Sequence, residues 1–496
     1  MAGWAFLQVG SNSKIKDEIQ AYAAGAIEGY LSRELMNYHW ENMFAHYCDD
    51  QVEYCAMLDT FIQMNLKYSL TQAEKLKNTD PYWHMVNLQM GQLAGLSDIF
   101  DGNELNYTRR VTTFTKALHF SIVGDLIDLE DAFTRIFNPY SLNQVPPCSA
   151  FVKVVGKSKD IYMSHNTWSL YRSMLRIKKT YAFPWHYRPS ATGQRMVIPG
   201  HTITMSSYPG NLDSWDHFIL TSAGLVLTDT SLPNDNIALW SQVNPENAPL
   251  TWVRSNVANR LATSASEWAN VFSTRNSGTY NNQWLIMDTK LFKPGRPIVN
   301  ETLWILEQMP GIIRAEDISH LLRENEYWAG FNAAYNKDIF KISGQPAIVE
   351  KYGDYFTYER SPRARIFRRD QGNVTDTESL MRLMRYNDYE NDPLSRCNGT
   401  PSQNPVCTIA ARYDLLDPEG HYGIPDIFYR PVGAIDVKFT NAKMTSSMEF
   451  IAISGPTNDQ QPVFKWSTSG FNDSHLGQPD TFNFGPIHGW GACPDL

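Results

Sequence analysis

The stretch CSAFVKVVGKSKDIYMSHNTW, residues 148–168, decides the fold. Its first segment, CSAFVKVV, alternates with period two and is rich in β-branched residues, which predicts a strand. GKSKD is typical of a turn, and DIYMSHNTW has the pattern of a second strand. The sequence therefore predicts a β-hairpin that opens at Cys148.

Two registers are open for this hairpin. A turn centred near Ser158 places Cys148 opposite Trp168, with Asn166 on the same face, whereas a one-residue slip places His165 on that face instead. GKSKD has no Asn-Gly or Asp-Gly pair that would determine the turn type. In both registers, SHNTW lies at the Cys148 end of the hairpin.

The chain before Cys148 is predicted to be mainly helical. Apolar residues recur at helical spacing in residues 19–31, 57–76, 84–100 and 124–137. Residues 138–147, NPYSLNQVPP, have the composition of a loop. We therefore expect a helical part, residues 1–147, that ends in a loop directly before Cys148.

After Cys148 the pattern predicts a mixed domain over residues 148–496. Further strands are predicted for RMVIPGHTITMSSY, HFILTSAGLVLTDTSL, QWLIMDTKLF, TLWILEQMPGIIR and GAIDVKFT. Helices are predicted for SLYRSMLRIKKTYAF, WVRSNVANRLATSASEWANVF and TESLMRLMRY. The fold class is therefore predicted to be α+β.

Composition predicts a packed globular protein, since 43% of the residues are hydrophobic and 13% aromatic. The net charge of −9 argues against a nucleic-acid partner, because phosphates are neutralised by clustered Lys and Arg. The arginines in residues 360–369 are interpreted as a solvated or salt-bridged structural stretch, or as an anion contact such as a phospholipid head group. No apolar run approaches the ~20 residues that span a bilayer. The start, MAGWAFLQVGSNSK, does not have the pattern of a signal peptide. Two locations are therefore compatible with it: the cytosol, or a secretory compartment if the signal has been removed or left out of this sequence.

Common catalytic motifs are missing. The chain has no GxSxG, HExxH, Walker A or GxGxxG motif, and its 12 His are scattered. No metal or cofactor is therefore predicted. The acidic residues of GDLIDLED are interpreted as carboxylates that the helix dipole favours. Taken alone, a cysteine at the start of a strand is most often a small buried hydrophobic residue.

Two pairs of cysteines are close in sequence, Cys48 with Cys55 and Cys397 with Cys407. Seven residues of continuous helix rise ~10.5 Å, beyond the ~7 Å limit between bridged Cα atoms, so a Cys48–Cys55 bridge requires a helix break. Spacing alone leaves bridges and free thiols open, and two bridges would imply an oxidising compartment. Sequons compatible with secretion occur at Asn106, Asn300, Asn373, Asn398 and Asn472.

Long irregular segments resemble one known family: EIQAYAAGAIEGYL, GDLIDLED, CSAFVKVV, SHNTW, NSGTYNNQW, RDQGNVTDTESLMRLMRYNDYENDPLS, IDVKFT and ISGPT. Through them the sequence resembles the phospholipase B-like proteins, lysosomal or secreted members of the N-terminal-nucleophile hydrolases. The resemblance implies a four-layer αββα sandwich. It also implies autoproteolysis between Pro147 and Cys148, after which the two pieces remain associated.

The implied chemistry suits a terminal cysteine. A free α-amino group has a pKa of ~8 and a thiol of ~8.5, so the amine can accept the thiol proton or, as an ammonium, stabilise the thiolate. No separate histidine and no cofactor are then required. Pro147 departs from the small or polar residue that we expect before the nucleophile.

The resemblance also implies roles for other residues. His165, Asn166 and Trp168, from SHNTW, are expected to line the site. Asn281 or Asn282 is the candidate oxyanion donor, because a side-chain amide can hold a tetrahedral oxyanion. Further candidates, for which a structural hydrogen bond is an equal alternative, are Thr230 and Asp436. The disulfides implied by the resemblance are Cys48–Cys55 and Cys397–Cys407.

The expected function is hydrolysis of phospholipids or lysophospholipids, with release of fatty acids, in a lysosomal or secreted protein. An amidase acting on N-acyl amides is the alternative among enzymes. From a different class, the fold could belong to a catalytically silent binding protein.

Overall fold

The computed structural model describes residues 3–137, 148–187, 196–397 and 399–489, without the side chains of residues 135–137 and 399–400. Two large β-sheets and helices on either side of them form the core. The predicted α+β class is confirmed.

The larger sheet has eight strands in the order β1-β4-β5-β6-β7-β8-β9-β10. Its strands are β1 (Trp4–Gly10), β4 (Arg176–Ala182), β5 (Thr202–Ser207), β6 (Phe218–Thr221), β7 (Leu225–Ser231), β8 (Asn282–Asp288), β9 (Leu303–Met309) and β10 (Ile312–Asp317). The edge strand β1 is parallel to β4, and the other neighbours are antiparallel. The residues before Cys148 therefore contribute one strand to this sheet.

The second sheet has six strands in the order β11-β2-β3-β15-β16, with β14 also paired to β3. Its strands are β2 (Cys148–Val155), β3 (Asp160–Leu170), β11 (Tyr327–Gly330), β14 (Val432–Ala434), β15 (Asp436–Asn441) and β16 (Ile451–Ser454). A short separate ladder joins β12 (Gly399–Thr400) and β13 (His421–Tyr422). The predicted hairpin, β2 and β3, thus lies at the centre of the second sheet.

Helices before Cys148 are α1 (Asp17–Leu31), α2 (Arg33–Met43), α3 (Val52–Leu76), α4 (Pro81–Phe100), α5 (Lys116–Ser121) and α6 (Val123–Phe137). Later helices are α7 (Thr251–Leu261), α8 (Ala265–Ser273), α9 (Ser319–Asn325), α10 (Lys337–Ile342), α11 (Gln345–Tyr352), α12 (Pro362–Asp370), α13 (Thr377–Met384), α14 (Ala442–Ser446) and α15 (Trp466–Ser469). Helices α1 and α4 pack so closely that a Cβ at Gly25 would overlap the carbonyl oxygen of Gln92. No described helix is long and apolar enough to cross a membrane.

The side chains of the two sheets form successive layers. Residues of both sheets, such as Val152 and Met163 with Leu220 and Leu285, bury one another between the sheets. On its other face the larger sheet is covered by α1, α3, α4, α7 and α8. Helices α12 and α13 cover the other face of the second sheet. Side chains alternate between the two faces of a strand. Each sheet has the other sheet on one face and helices on the other, so both of its faces are buried.

The hairpin adopts the slipped register. Cys148 pairs with Thr167, and Ala150 pairs with His165. His165 therefore lies on the face of Cys148, and Asn166 lies on the opposite face. The turn uses three consecutive residues with positive φ, Gly156, Lys157 and Ser158, which no Asn-Gly signal announces.

One predicted helix is wrong. Residues 169–183 were expected to be helical, but they form a short 3₁₀ turn, Tyr171–Ser173, followed by β4. This strand buries Lys179, whose Nζ lies 2.6 Å from Glu28 Oε1 in α1. A partner in a distant helix stabilises this buried charge, and the local pattern does not contain it.

Both predicted disulfides are present. The Cα atoms of Cys48 and Cys55 are 5.9 Å apart, and those of Cys397 and Cys407 are 6.3 Å apart. Cys55 lies in the first turn of α3, whereas Cys48 precedes that helix in turns. The helix break that the first bridge requires is therefore present.

Candidate active site

Cys148, the first residue of β2, is the free cysteine of the described chain. It lies at one end of a small pocket between the two sheets, which we call the nucleophile pocket. Its other lining residues are Ile127, Thr167, Trp168, Trp215, Asp216, Asp229, Ser231 and Tyr280. The hairpin and the end of β7 thus bring the thiol beside polar groups from both sheets.

The environment keeps the Cys148 thiol protonated in the uncut chain. Burial raises its pKa to about 12, and the carboxylates of Asp229 and Asp216 raise it further while Lys438 lowers it. Only the thiolate is a strong nucleophile. The pocket therefore needs an additional positive charge before this thiol can react as a thiolate near neutral pH.

Asn332 and Arg363 hold the backbone of Cys148. The amide nitrogen of Cys148 donates to Asn332 Oδ1 (3.0 Å), and its carbonyl oxygen accepts from Arg363 Nη1 (2.6 Å). Arg363 Nη1 also donates to Asn332 Oδ1 (2.9 Å), and Asn332 Nδ2 donates to the carbonyl oxygen of Ser231 (2.9 Å). The backbone nitrogen of Cys148 thus has a side-chain acceptor, Asn332 Oδ1.

Sequence reasoning missed both of these residues as part of the site. Arg363 belongs to the arginine run that was interpreted as salt-bridged or as an anion contact, and its guanidinium packs over the ring of Trp168 at 4.6 Å. Asn332 has a φ of 66°, a left-handed conformation that Asn tolerates better than most residues. That backbone position is not visible in the sequence.

A buried charge cluster supports the strand opposite Cys148. It contains Arg176, Asp216, Asp436 and Lys438. Thr167 Oγ1 donates to Asp216 Oδ2 (2.7 Å), and the Thr167 amide donates to Asp436 Oδ1 (3.0 Å). Despite burial, the two cations hold the pKa of Asp216 well below its usual value. Asp436 thereby supports Thr167, the residue that pairs with Cys148.

The SHNTW residues occupy different surroundings. Trp168 lines the nucleophile pocket, and its Nε1 donates to Asn166 Oδ1 (3.0 Å). Asn166 Nδ2 donates to the carbonyl oxygens of Met384 (2.8 Å) and Ile409 (3.0 Å), so its amide ties β3 to neighbouring loops. His165 is fully buried, and burial holds its pKa well below the usual value, so the ring is neutral.

The two candidate oxyanion donors, Asn281 and Asn282, differ in how many of their amide hydrogens already have an acceptor. Asn281 Nδ2 donates both to Asp128 Oδ2 (2.8 Å) and to the carbonyl oxygen of Gly278 (2.9 Å), which uses both hydrogens. Within the described chain, Asn282 Nδ2 donates only to Asp229 Oδ2 (2.5 Å). Thr230 Oγ1 is buried without a hydrogen-bond partner among the described residues. Asn282 Nδ2 therefore keeps one hydrogen without an acceptor among the described residues, and Asn281 Nδ2 does not.

A histidine between two carboxylates lies next to Asn282. His217 Nδ1 donates to Asp229 Oδ2 (2.7 Å), and Nε2 donates to Asp213 Oδ2 (3.0 Å). Burial alone would lower the pKa of His217, but the two carboxylates raise it to about 10. The protonated ring therefore fixes the orientation of Asp229 at the wall of the nucleophile pocket.

Helix α6 carries carboxyl groups into contact with the later part of the chain. Asp125 accepts from the Thr251 amide (3.0 Å), and Asp128 accepts from the Asn281 amide (2.8 Å). Burial raises the pKa of Asp125 to about 6 and that of Asp128 to about 8. Asp125 lies in the first turn of α6, as the dipole interpretation expects. Both carboxyl groups also accept hydrogen bonds from backbone amides that follow Cys148 in the chain.

Two larger cavities flank the nucleophile pocket. The charged pocket, with a cavity volume of about 70 Å³, shares Ile127 and Ser231 with it and is lined by Asp128, Asp131, Asp235, Asp426, Arg363, Arg430, Asn332 and the aromatic rings of Phe331, Tyr355, Phe356 and Tyr413. The apolar cleft, with a cavity volume of about 450 Å³, shares Ile127 and Trp215 with it. Among the described residues, no group of three or more His, Cys, Asp or Glu could hold a metal ion.

Several predicted positions lie on the surface or outside the described residues. The sequon asparagines Asn106, Asn300, Asn373 and Asn472 are exposed. Pro147, on the other side of the predicted scissile bond, and Asn398 lie outside the described ranges. Exposure makes these four asparagines accessible to a glycan-transferring enzyme.

Comparison with known proteins agrees with the segments that carry the resemblance. The profile of the family described as Phospholipase B matches residues 1–488. The chain is 42% identical to "Putative phospholipase B-like 2" of Bos taurus over 494 residues, which is 98% of this chain and 83% of that protein. It is 41% identical to "Putative phospholipase B-like 1" of Caenorhabditis elegans over 499 residues, 98% of this chain and 84% of that protein. The chain therefore belongs to the phospholipase B family.

Proposed function

We propose that this protein is a cysteine N-terminal-nucleophile hydrolase that releases fatty acids from phospholipids or lysophospholipids after autoproteolysis before Cys148. The observation that carries the proposal is the pair of contacts on Cys148: its thiol lines a pocket, and its amide nitrogen donates to Asn332. The helix–sheet–sheet–helix order of layers supports the αββα fold. The lipid substrate rests on family membership and on the relatives' names.

Self-cleavage would begin when Sγ of Cys148 attacks the carbonyl carbon of Pro147. The amide nitrogen of Cys148 takes the thiol proton as the C–N bond breaks, which leaves a thioester. Water then hydrolyses this thioester to a carboxylic acid on Pro147 and a free thiol. Residues 1–147 and 148–496 would stay together through the shared sheet and through the contacts of α6.

The new α-amine supplies the positive charge that the nucleophile pocket needs. An ammonium on the same residue lowers the thiol pKa from its raised value of about 12, and Asn332 Oδ1 accepts a hydrogen bond from it. The thiolate attacks the ester carbonyl carbon, the alcohol leaves, and water hydrolyses the acyl-thioester. Asn282 is the proposed oxyanion donor, with Asp229 orienting its amide. His165, Asn166, Thr230 and Asp436 are assigned to the support of this site.

A lysosomal or secreted location fits the two disulfides and the exposed sequons. Disulfides persist in oxidising compartments. In such a location the four exposed asparagines would carry glycans. Peptide mapping of glycans on protein from its native source tests this part of the proposal.

The test combines a denaturing gel with mass-spectrometric measurement of free fatty acid. The wild-type protein should yield pieces of about 17 and about 40 kDa, from a chain of 56.6 kDa divided in proportion to length, before any glycan. Cys148→Ala should remain one chain and release nothing, whereas Cys148→Ser separates processing from thiol reactivity. A wild-type chain that stays intact after acid incubation contradicts self-cleavage and favours a silent binding protein. Release from N-acyl amides but not from phospholipids would identify an amidase.

A further inference from the structure

The apolar cleft has the character of a site for a hydrocarbon chain. Five half-buried apolar side chains line it, Met43, Tyr47, Ile127, Leu170 and Trp215, together with four ionisable ones, of which Glu41 and His46 are exposed and Glu130 and Arg172 are half-buried. Side chains that are neither packed in the core nor fully hydrated gain free energy when an apolar ligand covers them. Concave sites with largely apolar walls are where proteins usually bind small molecules.

The apolar cleft is adjacent to the pocket that contains Cys148. Ile127 and Trp215 line both the apolar cleft and the nucleophile pocket. One end of a chain in the cleft would therefore lie near Cys148. Ile127 also borders the charged pocket, so the three cavities meet at one residue of α6.

The charged pocket is a poorer place for a hydrocarbon than the apolar cleft. Four aspartates and two arginines line its small cavity, against two glutamates, one arginine and one histidine in the larger cleft. Covering charged or polar groups with an apolar chain removes their hydration without replacement, which is unfavourable. Its mixed charges and aromatic rings suit a polar group, and so the two cavities differ in the part of a lipid that each can hold.

We propose that the acyl chain of the substrate lies in the apolar cleft, with its ester carbonyl at Cys148 and its polar leaving group in the charged pocket. This assignment of subsites rests on the proposed acyl-hydrolase function. It gives the N-terminal part a direct role, because Met43, Tyr47 and Ile127 precede the proposed cleavage point while Leu170 and Trp215 follow it. Both pieces are then needed to bind the chain.

The first experiment measures binding without turnover. Wild-type protein is irradiated with a sixteen-carbon fatty acid that carries a diazirine near its methyl end, and labelled peptides are mapped by mass spectrometry. We expect labels in residues 41–51, 123–130 or 169–172, the segments that form the apolar cleft. Labels confined to the charged pocket or to distant surfaces overturn the assignment. Labelling of the cleft in a protein that hydrolyses no lipid would refute the proposed function but keep the subsite.

The second experiment fills the cleft. Met43→Trp and Leu170→Trp each add bulk to the cleft, one from the part of the chain before Cys148 and one from the part after it. Leu105→Trp, at an exposed residue outside the cleft, is the matched control. Each methylene that can no longer be buried should weaken binding about fourfold. We expect both cleft variants to lose labelling and at least about tenfold in kcat/KM for a sixteen-carbon chain, and to lose less for a four-carbon ester, so that the preference for the long chain falls. Equal loss at both chain lengths in correctly folded protein, or no loss at either, contradicts the proposal.

Discussion

Replacement of Asn332 by glycine tests the proposed support of the α-amine. Oδ1 of Asn332 accepts hydrogen bonds from the Cys148 nitrogen (3.0 Å) and from Arg363 Nη1 (2.9 Å). Glycine deletes these contacts but tolerates the φ of 66° at this position, whereas alanine would add backbone strain. The side-chain contribution is thereby isolated from the backbone.

The expected loss follows from the charge of the partner. A hydrogen bond to a charged group contributes about 1.5–3 kcal/mol, and each 1.36 kcal/mol of activation free energy changes a rate tenfold. Asn332→Gly should therefore lower kcat/KM by about 10- to 150-fold and slow self-cleavage. Asn332→Asp, which keeps an acceptor oxygen, should retain more activity than Asn332→Gly.

The assay follows the appearance of two chains and the release of fatty acid from a lysophospholipid. Glu301→Gly is the matched control, because Glu301 is exposed and also has a positive φ, 68°, away from the site. If Asn332→Gly cleaves itself and turns over substrate within about twofold of the wild type, the hydrogen-bond reasoning is refuted.

Three further predictions concern stability. Burial raises the pKa of Asp128 from 3.8 to about 8. The stability that protonated Asp128 contributes is therefore complete below pH 3.8 and is lost as the pH rises through about 8. We expect Asp128→Asn to reduce the fall of the melting temperature between about pH 5 and pH 9, as measured by calorimetry. Lys438→Met leaves Asp216 with one cation fewer and should lower the free energy of unfolding by about 3–5 kcal/mol in denaturant titration; an unchanged midpoint would contradict the charge cluster. Loss of the Cys48–Cys55 bridge should cost about 2–3 kcal/mol, and alkylation of both thiols in native-source protein would argue against the bridge.

Local patterns predicted much of the fold because their causes are local. Helices α3, α4 and α6 and the hairpin of β2 and β3 have periodic apolar residues within their own segments. Strand β1 (Trp4–Gly10) is not evident from the sequence, because a short apolar stretch near the start of the chain resembles part of a signal peptide as much as a strand. Its pairing with β4 joins segments more than 160 residues apart.

The residues around Cys148 could be predicted only in part, because several of them come from distant segments of the chain. Cys148 is conspicuous because it opens a strand after a loop and lies in a segment that resembles the family. Asn332 and Arg363 are 184 and 215 residues away from Cys148 along the chain, and only the packed sheets bring them to its backbone. The charged state of His217 likewise depends on carboxylates that fold around it.

The parallel pairing of β1 with β4 has a consequence for the lifetime of the molecule. An edge strand and three of the helices that cover one face of the larger sheet, α1, α3 and α4, come from residues that precede Cys148. If the proposed cleavage occurs, the protein would have to refold from two polypeptides, a second-order reaction that slows with dilution. In dilute solution, the lifetime of the folded protein would then be limited by its unfolding rate and not by the equilibrium between folded and unfolded chains.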